Sequence, residues 1–121
     1  MRIAVYGDVA VVSADEVVIG SVRDALDLML TVQYDHSCTA VVVDKRNLDE
    51  RFFDLKTGLA GEITQKFANY GVRLGIVGDF DGYSSQSLKA FIRESNRHNL
   101  VVFKSTEHEA LEALSSGPGI T

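Results

Sequence analysis

Residues 39–44 read TAVVVD, four consecutive apolar positions with no polar residue between them. A strand exposed on one face alternates apolar and polar residues. An unbroken run marks a strand covered on both faces, as in a parallel sheet flanked by helices. Upstream, Ser21 precedes VRDALDLMLTVQY, in which Val22, Ala25, Leu26, Met29 and Leu30 recur at helical spacing, with Ser21 as cap and Asp24 three residues on. Downstream, a second helix is expected to run to Tyr70, with Leu55, Leu59, Ile63 and Phe67 four apart on one face and Gly71 as its stop.

The same rhythm then recurs. VRLGIVGDF at 72–80 reads as another buried strand, and SQSLKAFIRESNRHN at 85–99 as a helix burying Leu88, Phe91, Ile92 and Ser95. LVVFKS at 100–105 is a last strand, and TEHEALEALSS at 106–116 a helix whose Thr106 and Glu109 form a capping box. The chain opens differently. RIAVYGDVAVVS at 2–13 holds two β-branched runs meeting at Gly7-Asp8, the pattern of a hairpin, and EVVIG at 16–20 suggests a further short strand. The expected fold class is therefore α/β: a mixed, mostly parallel sheet with an initial β-hairpin, an antiparallel edge strand and about four helices.

With 121 residues and 45% hydrophobic content the chain suits one core, read as a single domain over 1–115 with a flexible tail at 116–121 that contains the sole proline, Pro118. Seventeen acidic against 12 basic side chains give a formal charge of −5 with no basic run, so no nucleic-acid partner is expected. No apolar run approaches the roughly 20 residues of a membrane span, and Gly7 and Asp8 interrupt the segment where a secretory signal would stay apolar. The expectation is a cytoplasmic protein without a membrane partner. Cys38 is the only cysteine, which excludes an internal disulfide.

Cofactors and metals are not expected. His36 and Cys38 in YDHSC are too few ligands for a zinc site, and DFDGYSS at 79–85 lacks the further spaced ligands and terminal Glu of a calcium loop, so Ser84 or Ser85 reads as a helix cap. No nucleotide-binding glycine fingerprint or nucleophile elbow is present, and no catalytic residue is assigned.

In parallel sheets functional groups collect at the carboxyl ends of the strands and at the helix starts that follow. Asp44, Asp79 and Lys104 each end a predicted strand and could bind an anionic metabolite or a cation together. Asp54, Lys56, Thr57 and Gly58 fall at the predicted start of the second helix, where unpaired amides favour an acceptor side chain or an anion. Asp54 or Thr57 is the candidate cap, and Gly58 and Gly61 are candidates for close backbone approach. Ser84 and Ser85 lie beside this surface as possible ligand contacts.

The progression AVVVDKRNLDERFFDLKTGLAGEI, YGVRLGIVGDF and LVVFKSTEHEALEAL resembles the STAS domain of anti-sigma-factor antagonists, in which a strand ending in Asp leads to an Asp-Ser-Ser-Gly helix start. More narrowly, FFDLKTGLAGEI, RLGIVGDF and FIRESNR are similar to strings of a bacterial family catalogued as a domain of unknown function, number 4180. By the STAS resemblance Asp54 matches the motif's Asp, Gly58 its Gly and Thr57 the hydroxyl residue before that Gly, although DLKTG is one residue longer and Leu55 or Lys56 stands where the phosphorylated serine usually lies. What the resemblance implies is a protein-binding or ligand-sensing role for the surface around this helix, and the preferred expectation is a regulatory domain that binds another protein there. The alternative is a small anionic-metabolite sensor or small enzyme with its site at the carboxyl ends of the strands. A homo-oligomer is compatible with either.

Overall fold

The computed structural model of the chain describes residues 1–116. Strands β1 (Arg2–Tyr6) and β2 (Val9–Ser13) form an antiparallel hairpin, followed by helix α1 (Val22–Leu30) and a π-helical extension over Thr31–Asp35. Strand β3 (Ala40–Asp44), helix α2 (Leu59–Tyr70), strand β4 (Arg73–Val77), helix α3 (Gln86–His98), strand β5 (Val101–Lys104) and helix α4 (Glu107–Ser116) follow. The five strands lie in the order β1-β2-β3-β4-β5, antiparallel only between β1 and β2. The fold is thus the expected mixed α/β sheet.

Because each parallel strand is added on the same side of the last, right-handed crossovers send α1, α2 and α3 to one face. The side chains agree. Val41, Val43, Leu74, Ile76 and Phe103 pack in one core with Ala25, Met29, Ile63, Phe67 and Leu88 of those helices. Val9, Val11, Ala40, Val42 and Val102 form a smaller core with Ala110 and Leu114 of α4 on the opposite face. An unbroken apolar strand such as AVVVD is the sequence trace of this two-sided burial. Gly75 of β4 is where α4 comes closest: a Cβ there would lie 3.1 Å from Leu114 Cδ1 and 3.3 Å from Val42 Cγ2. Arg73 holds the same carboxyl end of α4, its guanidinium donating to Leu114 O at 2.6 Å, Ala113 O at 3.0 Å and Asn99 O at 3.1 Å. Three carbonyls at the end of α4 and of the α3–β5 loop are thereby satisfied by one cation, the charge that a helix carboxyl end favours.

Local expectations stand in part. Ser21 Oγ accepts from Asp24 N at 3.1 Å, Ser85 Oγ from Leu88 N at 3.1 Å and Thr106 Oγ1 from Glu109 N at 3.1 Å, so all three are caps. The EVVIG strand does not form. Only Ile19 makes a bridge, to Leu48, because Val18 N and Ile19 N both donate to Asn47 O and no adjacent strand extends the pairing. Of the residues expected to be buried by α3, Leu88 is buried, whereas Phe91, Ile92 and Ser95 are half-buried because α3 covers the last strand of the sheet and none of the described elements lies outside it. Helix α4 reaches Ser116, and the rest of the expected tail, residues 117–121, lies outside the described residues.

Candidate functional site

The largest departure from expectation falls in the segment that leads from β3 into α2. It is not the first turn of α2. Three short 3-10 turns, Lys45–Asn47, Glu50–Phe53 and Leu55–Thr57, occupy residues 45–57, each opened by an aspartate whose side chain accepts a backbone N–H two residues on. Asp44, Asp49 and Asp54 play this part for Arg46, Arg51 and Lys56, at 3.0, 2.9 and 3.3 Å. Short acidic side chains compete with helix formation by satisfying the backbone locally, which is why the hydrophobic period misplaces the start of α2. Leu55 accordingly packs on the core from a separate turn, and the run that follows begins at Leu59.

Gly58 ends the last of these turns with φ +78°, a left-handed conformation that lets the chain reverse into α2. A Cβ on Gly58 or on Gly61 would meet nothing within 4 Å, so neither glycine serves the close backbone approach expected of it. Helix α2 has Gly58 at its N-cap and no side-chain cap, and Thr57, exposed, ties the preceding turn together. Its hydroxyl lies 2.8 Å from both Arg51 O and Asp54 O as donor, and accepts from Leu59 N at 3.2 Å. Neither Asp54 nor Thr57 is therefore the cap of α2: Asp54 caps the turn before it, and Thr57 links that turn to Leu59 N, with Gly58 at the N-cap position.

The candidate residues divide between two open depressions. Asp54, Lys56, Ser84 and Ser85 line one of about 700 Å³, with Glu50 and Phe53. Asp44, Asp79 and Lys104 line the other, of about 550 Å³. Thr57 and Gly58 line neither of them. Asp44 and Lys104 both pair with Val77 from opposite sides. They are two strand spacings, roughly 10 Å, apart. Asp44 instead accepts from Arg46 N and lies 3.8 Å from its guanidinium, while Asp79 Oδ1 accepts from Asp81 N at 2.9 Å. Each acid thus shapes its own loop. Among the described residues no group of three or more His, Cys, Asp or Glu side chains is placed to hold a metal ion. His36 and Cys38 belong to the turn before β3, where Cys38 is buried and its thiol donates to His36 O at 3.4 Å. Burial first, and then the charge of Asp8, raise the Cys38 pKa.

What joins the loops after β3 and β4 is a set of residues that sequence reasoning passed over. Phe53 and Tyr83 stack with ring centroids 5.3 Å apart and planes at 16°. Lys45 Nζ lies 4.6 Å from the Tyr83 centroid and 5.9 Å from that of Phe53, and donates to Asp79 O at 3.4 Å. The Tyr83 hydroxyl donates to Glu50 Oε2 at 2.9 Å. Desolvation first, then this hydrogen bond, hold the phenol well above its ordinary range. Gly78 makes room for the lysine: a Cβ there would fall 2.8 Å from Lys45 Cβ. The signal available in the sequence was the adjacent pair Phe52-Phe53, too close for one helical face; both are buried, Phe52 against Phe103 and Phe53 against Phe80 and Tyr83.

Beneath this surface Asn47 is the one fully buried polar side chain among the described residues. Its Oδ1 accepts from Asp44 N at 2.9 Å and its Nδ2 donates to Ala14 O and Glu16 O at 2.9 Å each. It fastens the segment after β2 to the end of β3. Close to it, Asp49 is held below the usual carboxylate range, chiefly by its side-chain hydrogen bond from Arg51. Arg51 reaches on to Gly20 O at 2.9 Å.

No helix among the described residues is long and apolar enough to cross a membrane. The profile of the family described as Domain of unknown function (DUF4180) matches residues 3–114, from the first strand to the last helix. No curated protein and no solved structure matches the chain.

Proposed function

The chain belongs to the DUF4180 family, and from that premise we propose that it is a regulatory, protein-binding domain of the bacterial cytoplasm. Its contact surface is formed by the turn Asp54–Gly58 and the loop Asp79–Ser85. The observation that carries this reading is the Phe53–Tyr83 stack, straddled by Lys45, which fastens two separate exposed loops into one continuous platform. A preorganised surface loses little conformational freedom on binding, which favours recognition of a partner of matching shape. Asp54, Lys56, Ser84 and Ser85 stand exposed on it and supply both charge signs and hydroxyl groups. The depressions there are open, and their acids are engaged with their own loops. That favours a protein contact over an enclosed small-ligand site, in which polar groups converge on an apolar pocket. The STAS-like order of elements supports the same assignment by resemblance.

Thr57 is the switch position of this surface. Transfer of a phosphoryl group from a nucleoside triphosphate to Thr57 Oγ1, with release of the hydroxyl proton and of the nucleoside diphosphate, would remove the donor to Arg51 O and Asp54 O while leaving an anion at the start of α2. The experiment is retention of a specific protein from lysate of the native host on the immobilised chain, run beside Thr57→Asp. The proposal expects a retained protein that is weakened by the substitution. Equal retention by both would remove Thr57 from the contact.

A further inference from the structure

The two edges of the sheet are finished differently. At the β5 edge, Asn96 of α3 reaches over, and its Oδ1 accepts from Phe103 N at 2.7 Å, occupying a backbone donor that would otherwise face a new strand. Among the described residues the β1 edge has no such closure. Strand β1, RIAVY, contains no proline, lysine or acid and pairs without a bulge from Arg2↔Ser13 to Tyr6↔Val9. These are the devices that usually protect an edge strand. Met1, Val5 and Tyr6 are 61, 45 and 52% exposed along it.

Register decides which backbone groups are free. Gly7 and Asp8 make a two-residue turn, so the closing pair Tyr6/Val9 exchanges both its hydrogen bonds, and by alternation Ala4/Val11 and Arg2/Ser13 do the same. The N–H and C=O groups of Ile3 and Val5 therefore point away from β2. Placing a second RIAVY antiparallel to the first, on a twofold axis through Ala4, sets Ile3 opposite the second copy's Val5 in hydrogen-bonded pairs. It also sets Arg2 opposite the second copy's Tyr6 on the other face. The strand is complementary to itself: a β-branched pair on one face, and a cation facing an aromatic ring on the other, each occurring twice. In a chain of formal charge −5, this edge brings two copies together without placing acid opposite acid.

We propose that β1 is a homodimerisation edge, pairing with β1 of a second copy about Ala4 to give one continuous ten-stranded sheet. The platform at the carboxyl ends of the parallel strands stays free in each copy, so the dimer is bivalent for whatever binds there. A contact of five residues per strand belongs to the small end of specific interfaces, and the dimer is accordingly concentration-dependent.

The test uses the full chain. Sedimentation over a concentration series should show a monomer–dimer equilibrium, and Val5→Lys should raise its dissociation constant by about tenfold or more, since the change enters the interface twice. Folding of that variant is checked by circular dichroism. Independently, Ala4→Cys places two thiols across a non-hydrogen-bonded pair, where Cα atoms approach to about 4.5 Å and a disulfide is permitted. It should cross-link under mild oxidation, while Ile3→Cys, off the axis by one residue, should not. Native Cys38 is buried and leaves this readout clean. A chain that stays monomeric, or one that cross-links equally from positions 3 and 4, overturns the proposal; the first leaves the edge to a strand of another protein, and the second excludes this register.

Discussion

Replacing Asn47 by Ala is the most demanding test of how the platform is held. The side chain is fully buried and makes three hydrogen bonds, to Asp44 N, Ala14 O and Glu16 O, all at 2.9 Å. Each such bond contributes about 1 kcal/mol net, and the truncation also strands the backbone partners it leaves behind. The three together put the expected loss at about 3 kcal/mol, a large fraction of the stability of a small domain. For a chain of 121 residues, unfolding entropy of about 2.1 cal/mol/K per residue converts this into a fall in Tm of about 12 °C. Asn47→Asp should be no milder, because it keeps the acceptor for Asp44 N and sets a carboxylate oxygen against two carbonyls. Urea unfolding followed by circular dichroism measures the difference, with an unchanged m-value confirming that the comparison is between like states. A loss below about 1 kcal/mol would refute the reasoning, since it would mean that water replaces all three bonds at no cost.

Three further outcomes follow from the same geometry. Gly78→Ala brings a Cβ to 2.8 Å from Lys45 Cβ, and should cost about 1–2 kcal/mol and alter the near-ultraviolet tyrosine signal as the lysine leaves the Tyr83 ring; an unchanged spectrum and stability would count against the clamp. The raised Tyr83 phenol means that the fold favours its neutral form, so its contribution to stability is whole below the ordinary phenol value of about 10 and is lost as pH rises from there through the folded value. Spectrophotometric titration should show one late-ionising phenol that disappears in Tyr83→Phe. Gly58→Ala, forced to φ +78°, should destabilise by about 1 kcal/mol or more in thermal unfolding, and a neutral result would deny that the turn needs its left-handed residue.

The sheet was legible because its parallel strands are buried on both faces. AVVVD, RLGIV and VVFK carry their parallel arrangement openly, and the hairpin announced itself through Gly7-Asp8 between two β-branched runs. The π-helical continuation of α1 and the three turns before α2 were not legible. There the hydrophobic period continues smoothly through Leu55 to Leu59, while the aspartates at 44, 49 and 54 impose local backbone bonds that periodicity does not register. The candidate site divided for a related reason. Strand ends can be placed in order from sequence, yet the register that sets Asp44 and Lys104 on either side of Val77, and the tertiary stacking of Phe53 on Tyr83, exist only once the sheet is assembled. Lys45 and Asn47 are single polar residues in a loop, and nothing in their neighbours marks one as a clamp and the other as buried.

The central claim is that the platform of Asp54, Lys56 and the loop after β4 is a protein contact. The most direct measurement is the affinity, by calorimetry, between the chain and the protein it retains from its host. It compares the wild type with the double change Lys56→Glu and Ser84→Arg on the platform, and with Asn69→Lys on the exposed far end of α2. The account predicts that the platform change weakens binding at least tenfold, about 1.4 kcal/mol, while the distant change leaves it unaltered. Equal affinity for all three proteins would place the contact elsewhere on the fold and contradict the claim.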